Sequence, residues 1–140
     1  MKISTRGRYG LRLLIDLAEH QDEEHVALAH AAERQEISPR YLEQLAVILK
    51  RAGFIRSVKG ASGGYALARP AEDIVLGDVL RILEGDMLVA DPPGRRETRL
   101  QRCVRLMVLD KLNARIAQVI ERRTLASLAG GGSETYMYYI

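Results

Sequence analysis

The sequence predicts a mainly α chain: a winged helix-turn-helix unit followed by a long C-terminal dimerisation helix. Three observations carry this. A capped amphipathic stretch runs from Ile37 to Gly53, a glycine-linked pair of short β-prone runs follows at once, and an uninterrupted apolar strip lies between Thr98 and Glu121. The organisation expected is a DNA-binding domain with its following helix over 1–85, a loop over 86–97, and the dimerisation helix and tail over 98–140.

The 140 residues suit one small domain with an appended arm. With 47% hydrophobic residues and mixed charge, the chain has enough apolar side chain for a core. Its net charge is only +3, but residues 38–69 hold six basic residues against Glu43 alone, a local +5. Basic charge gathered on one module is the footprint of a nucleic-acid binder. One cysteine, Cys103, excludes an internal disulfide framework. No apolar run approaches membrane-spanning length and the N-terminus lacks a signal-peptide stretch, so a cytoplasmic protein without membrane contact is expected.

In chain order, Ser4 and Thr5 cap a first helix reaching about His20, with Tyr9, Leu13, Leu14, Leu17 and Ala18 at helical spacing. Gly7 and Gly10 weaken that helix by roughly 1 kcal/mol each, which fits a place where another backbone or a phosphate comes close. Lys2, Arg6, Arg8 and Arg12 gather at the same end, where free amide groups favour anions. After the acidic turn Gln21–Glu24, a short helix from Val26 to Gln35 and a brief link lead to Ser38-Pro39. Serine supplies an acceptor for an orphan amide, and proline loses nothing at the first helical position.

Leu42, Leu45, Ala46 and Leu49 form the buried stripe of that helix, and Gly53 ends it. Arg40, Gln44, Val47, Ile48 and Arg51 lie opposite the stripe, with Tyr41 at its edge. Such a face suits a DNA groove. Phe54–Val58 and Tyr65–Leu67 read as strands, joined by Lys59-Gly-Ala-Ser-Gly-Gly64, whose glycines supply the positive φ of a hairpin wing. A further helix is expected over Asp73–Glu84, then a loop from Gly85 to Glu97 containing Pro92-Pro93-Gly94.

Within 98–121, Leu100, Val104, Met107, Val108, Leu112, Ile116 and Val119 form one apolar strip flanked by arginines. A strip outside the compact module needs a cover, and a second copy of the chain is the simplest one. Thr124 caps a last short helix. The tail Glu134–Ile140 is aromatic and β-prone, which suits a strand or a strap across the partner.

With these residues in view the sequence resembles a family of bacterial winged-helix transcription regulators, that of the iron–sulfur cluster regulator IscR and the cysteine-metabolism repressor CymR. The shared residues are Lys2–Gly10, Ile37-Ser38, Tyr41-Leu-Glu-Gln-Leu45, Gly60, Gly63-Gly-Tyr65 and the Leu-Glu-Gly run ending at Gly85. The tail Tyr136–Ile140 looks like the CymR branch. The resemblance implies a homodimer on a pseudo-palindromic promoter site, acting as a repressor of sulfur and cysteine metabolism. In that picture Ser38 and Tyr41 fix register on phosphate, and Gln44 reads a base edge. Glu43 either accepts from cytosine N4 or excludes wrong sequences; its other reading is a solvated charge. Arg40 and Arg51 flank them, and Arg6, Arg8 and Lys2 neutralise phosphates. Lys59 follows the backbone at the wing, with Gly60, Gly63, Gly64 and Tyr65 shaping its approach.

Cluster-binding members of the family carry three cysteines six residues apart. Cys103 stands at the third position, and Glu97 and Asp91 stand at the other two. Thiolates are the usual holders of iron–sulfur clusters, so no cofactor is expected. Cys103 has two readings, a redox-sensing thiol favoured by Arg99, Arg102 and Arg105, or a small apolar residue of the dimer helix. His20, His25 and His30 do not share one helical face and suggest no metal site. The CymR likeness implies cysteine synthase as a second partner, docked through Tyr138, Tyr139 and the Ile140 carboxylate. That gives the two competing readings, a redox or iron–sulfur-responsive regulator and an enzyme-docking module. No nucleophile–base pair or phosphate loop suggests an enzyme.

Overall fold

The structure is a computed structural model that describes residues 1–61 and 63–131. Helix α1 (Thr5–Glu19) begins at Ser4, whose hydroxyl accepts from the Gly7 amide. Helix α2 (Leu28–Gln35) ends at Glu36, which takes a left-handed conformation at φ 53 and so turns the chain sharply toward α3. Helix α3 (Pro39–Arg51) starts at the Ser38 cap with proline in its first turn, and Gly53 at φ 84 lets the chain leave it. The pair α2–α3 is the helix-turn-helix.

Strands β1 (Ile55–Val58) and β2 (Gly64–Leu67) pair antiparallel, Ile55 opposite Leu67 and Val58 opposite Gly64. The second helix was expected from Val26, but Val26 is extended and exchanges both backbone hydrogen bonds with Tyr65, at 2.8 and 2.9 Å. A buried valine is better satisfied as a third rung beside the hairpin than as an exposed first turn, given its β-branched side chain. The helix expected from Asp73 likewise starts later. A short 3₁₀ turn (Ala71–Asp73) precedes the extended residues Ile74 and Val75, and α4 covers Leu76–Glu84.

After the loop, α5 (Arg99–Val104) opens on a capping box between Thr98 and Gln101. It runs without a break through a π-helical turn (Arg105–Leu109) into α6 (Asp110–Glu121). Helix α7 (Leu125–Leu128), capped by Thr124 and Ser127, returns to the first module. Val75 bridges Thr124, and the Gly130 amide donates to Glu19. The tail residues Tyr138, Tyr139 and Ile140 lie outside the described residues. Among the described residues no helix is long and apolar enough to cross a membrane.

One apolar core joins these elements. Leu13, Leu14 and Leu17 of α1 meet Leu42, Ala46 and Leu49 of α3, Phe54 and Ile55 below the wing, and Val79, Leu83 and Leu125 from the C-terminal side. Each fully buried leucine contributes about 2 kcal/mol of transfer free energy, so the α3 stripe anchors the helix whose other face stays in solvent. The buried carboxylate of Asp16 ties α2 to the same core. It accepts from Arg34 at 2.7 and 3.1 Å and from Gln35 at 2.8 Å. Burial pushes its pKa up, but the hydrogen bonds from Arg34 and Gln35 and the Arg34 charge outweigh that and hold it below the ordinary aspartate value.

Candidate nucleic-acid interface

Helix α3 sorts its residues by face. Leu42, Leu45, Ala46 and Leu49 are buried, whereas Ser38, Arg40, Glu43, Gln44 and Arg51 are exposed and Val47 keeps 52% of its surface. Tyr41 is half-buried because its ring packs edge-on against Tyr9 of α1, with centroids 5.8 Å apart. Arg12 lies over Tyr9 at 5.2 Å and bonds both the side chain and the carbonyl of Gln35. The α1–α2–α3 corner is therefore rigid beneath a free polar face. Among the described residues, Lys2, Arg6, Arg40, Arg51, Arg56 and Lys59 enter no ion pair, while Arg34, Arg81 and Arg105 are each bound to carboxylates. Unpaired cations are available to phosphates, and Arg40 and Arg51 stand on the exposed side of α3.

The wing needs its glycines for different reasons. Only Gly60, among the described residues between the strands, takes a positive φ, at 130. A Cβ on Gly63 would run into the Val58 carbonyl, and one on Gly64 into the Val26 carbonyl. The expectation of positive-φ glycines along the whole linker is corrected accordingly: Gly63 and Gly64 serve close backbone approach. Lys59 and Gly60 lie exposed at the tip, whereas Gly64 and Tyr65 open β2 beside it, half-buried, Gly64 opposite Val58 and Tyr65 bridged to Val26.

The start of α1 also departs from expectation. Its amides do not wait for an anion, because Glu84 at the end of α4 supplies one. Glu84 Oε1 accepts from the Ser4 amide at 2.8 Å, the Ser4 hydroxyl at 2.6 Å and the Gly7 amide at 3.1 Å. Gly7 and Gly10 make room for α4 and not for phosphate: a Cβ at Gly7 would meet the Glu84 carboxylate, and one at Gly10 the Leu83 side chain. Lys2, Arg6 and Arg8 still project from this pinned end, Arg8 donating to Thr5 at 3.2 Å. Sequence reasoning noted the Leu-Glu-Gly run and missed the role of its glutamate. An acidic residue one helix away from two small residues gives no periodic signal.

On the long helix, Leu100, Val104, Met107, Val108, Leu112 and Val119 are exposed by 47–65%, and Leu106, which the strip did not include, by 50%. Ile116 is half-buried. Cys103 is exposed, so a cysteine buried within the single chain is not what the structure contains. At its start the strip itself faces the 86–97 loop, across a cavity of about 640 Å³ lined by its Leu100 and Val104 with Leu88, Pro92, Pro93 and Leu109 among others. Arg105 holds Glu97 there through two parallel hydrogen bonds, at 2.7 and 2.9 Å, and reaches Asp110 at 2.9 Å. Arg105, with Arg102 nearby, draws the Glu97 pKa below its ordinary value.

Comparison with known proteins places this geometry. The Rrf2 family model, described as "Iron-dependent Transcriptional regulator", matches residues 3–131. The chain is 36% identical to the HTH-type transcriptional regulator CymR of Bacillus subtilis, with all of both chains covered. The solved structure of CymR, titled the global cysteine regulator of B. subtilis, superposes with a TM-score of 0.82 at 34% identity, covering 95% of this chain and 99% of that one. The structure of T. potens IscR superposes with a TM-score of 0.77 at 38% identity, covering 99% and 97%.

The iron in that family description meets a poor donor set here. Of the three positions six residues apart, Asp91 and Glu97 line the cavity and Cys103 does not. Glu97 already has both oxygens on Arg105. Among the described residues no three His, Cys, Asp or Glu side chains converge on one point. One thiolate and a carboxylate engaged with arginine do not fit a cluster.

Proposed function

The chain belongs to the Rrf2 family of transcriptional regulators, and from that premise we propose that it is a homodimeric, sequence-specific repressor of genes of sulfur and cysteine metabolism. The observation that carries the DNA-binding part is α3, whose buried stripe fixes a free face of Arg40, Glu43, Gln44, Val47 and Arg51 beside an exposed Lys59–Gly60 wing tip. Two copies related by a two-fold axis would present two such helices to successive major grooves. Arg6, Arg8 and Lys2 would neutralise flanking phosphates, Ser38 and Tyr41 would set register, and Gln44 would read a base edge.

The homodimer is supported by the exposed Leu100–Val119 strip, which is larger than the scattered apolar exposure of a lone domain. The cysteine assignment is supported by full-length similarity to a regulator named for cysteine control. The test is anisotropy titration of the protein against its own promoter fragment and a shuffled fragment, with transcript levels of cysteine-biosynthesis genes in a deletion strain. Preferential binding and raised transcripts are expected. Equal affinity for both fragments would overturn the specific-regulator reading, and unchanged transcripts would overturn the cysteine assignment.

A further inference from the structure

An open groove of about 640 Å³ lies between the 86–97 loop, at Leu88, Pro92 and Pro93, and the helix face of Leu100, Val104 and Leu109. Two polar fastenings bridge it. At one end the Val89 amide donates to Asn113 Oδ1 at 2.8 Å. At the other, the Arg105 fork binds both oxygens of Glu97 and turns its remaining side to Asp110. Arg102 adds a second cation 3.6 Å from Glu97.

Arg105 is the first residue of the π-helical turn, and Asp110 directly follows that turn. In an unbroken α-helix residues five apart are not the neighbours that residues three or four apart are. The i→i+5 bonding of a π turn alters that spacing, and here Arg105 meets both Asp110 ahead of it and Glu97 behind it. The contact is bidentate and charge-assisted, the geometry in which arginine and carboxylate bind best. Any metal ion recruited to Glu97 would have to displace guanidinium from the same two oxygens.

We propose that the Glu97–Arg105–Asp110 network is a metal-independent clasp that fastens the 86–97 loop to the π turn of the long helix, so that this chain keeps its loop in place and its DNA affinity without iron. The affinity half rests on the DNA-binding reading above; the loop half does not. The clasp takes over a structural task at the position where the family description leads one to look for metal.

Hydrogen exchange of the loop, read by mass spectrometry, tests the clasp in the full chain. Glu97→Gln should speed exchange across residues 86–97 about fivefold, the effect of losing one well-formed ion pair at a partly exposed site. Asp110→Asn should give a smaller increase, and exchange in α3 should stay as in the wild type, showing that both variants fold. Wild-type protein prepared anaerobically and incubated with ferrous iron and sulfide should retain no stoichiometric iron. Its loop exchange and promoter affinity should be unchanged. Unaltered loop exchange in Glu97→Gln would overturn the clasp, as would stoichiometric iron that slows loop exchange or tightens promoter binding. Absence of promoter binding with and without iron, alongside faster loop exchange in Glu97→Gln, would leave the clasp standing and remove the DNA-binding reading instead.

Discussion

Glu84 accepts a hydrogen bond from the Gly7 amide across 77 residues of sequence, at 3.1 Å, and so closes the N-terminus of α1 with a carboxylate from the end of α4. The same oxygen holds the amide and hydroxyl of Ser4. Lys2, Arg6 and Arg8 project from this joint. Glu84→Ala should lower stability by about 2 kcal/mol, from up to three lost hydrogen bonds, two of them at exposed ends. It should also weaken DNA binding several-fold by loosening the basic arm. Thermal melting and anisotropy titration measure the two effects; intact affinity would show that the arm does not need the joint.

Gln44 and Lys59 separate recognition from attraction. Gln44→Ala should cost about 1–3 kcal/mol on the cognate site and little on random DNA. Lys59→Ala should weaken both alike and reduce the slope of log affinity against log salt by about 1. A uniform loss for Gln44→Ala would remove its base-reading role.

Met107 and Leu112 test the dimer. Each is exposed in the single chain, by 62% and 47%. Met107→Arg with Leu112→Arg should convert a sedimenting dimer to monomers while leaving the core, and hence far-UV circular dichroism, unchanged. A wild-type chain that sediments as a monomer at all concentrations would refute the dimer outright.

Asp16 sets an acid limit. Its folded pKa is depressed, so its ion pair contributes fully above the unfolded value of about 3.9 and is lost as pH falls through the lower folded value. Asp16→Asn should lose about 2 kcal/mol at neutral pH. Its stability should then fall less steeply than the wild type's below about pH 4. Parallel pH–stability curves would mean that another carboxylate governs acid unfolding.

The parts legible in the sequence were those written in local chemistry. Ser38-Pro39 and the Leu42–Leu49 stripe announce a helix start and its buried face within a few residues of one another, and the structure has them there. The family's shared residues led to the same winged fold. What the sequence hid is what depends on distant partners. Glu84 against Gly7, Val26 against Tyr65, and Glu97 against Arg105 are each set by tertiary neighbours that no period reveals. The candidate groove face was visible because it is the complement of a periodic stripe. The different duties of Gly60, Gly63 and Gly64 were not, since glycine looks the same whether it serves φ or space.

The π turn has a geometric consequence for the long helix. At 100° per residue an unbroken α-helix would place Leu112 about 120°, and Ile116 about 160°, around the axis from Leu100. The apolar strip would then spiral off any flat partner surface. A wider turn advances each residue through a smaller angle, so five residues of it swing Leu112, Ile116 and Val119 back toward the side of Leu100 and Val104. The winding defect at Arg105–Leu109 thus acts as a phase correction, making one straight seam out of a sequence that would otherwise wrap around its own helix.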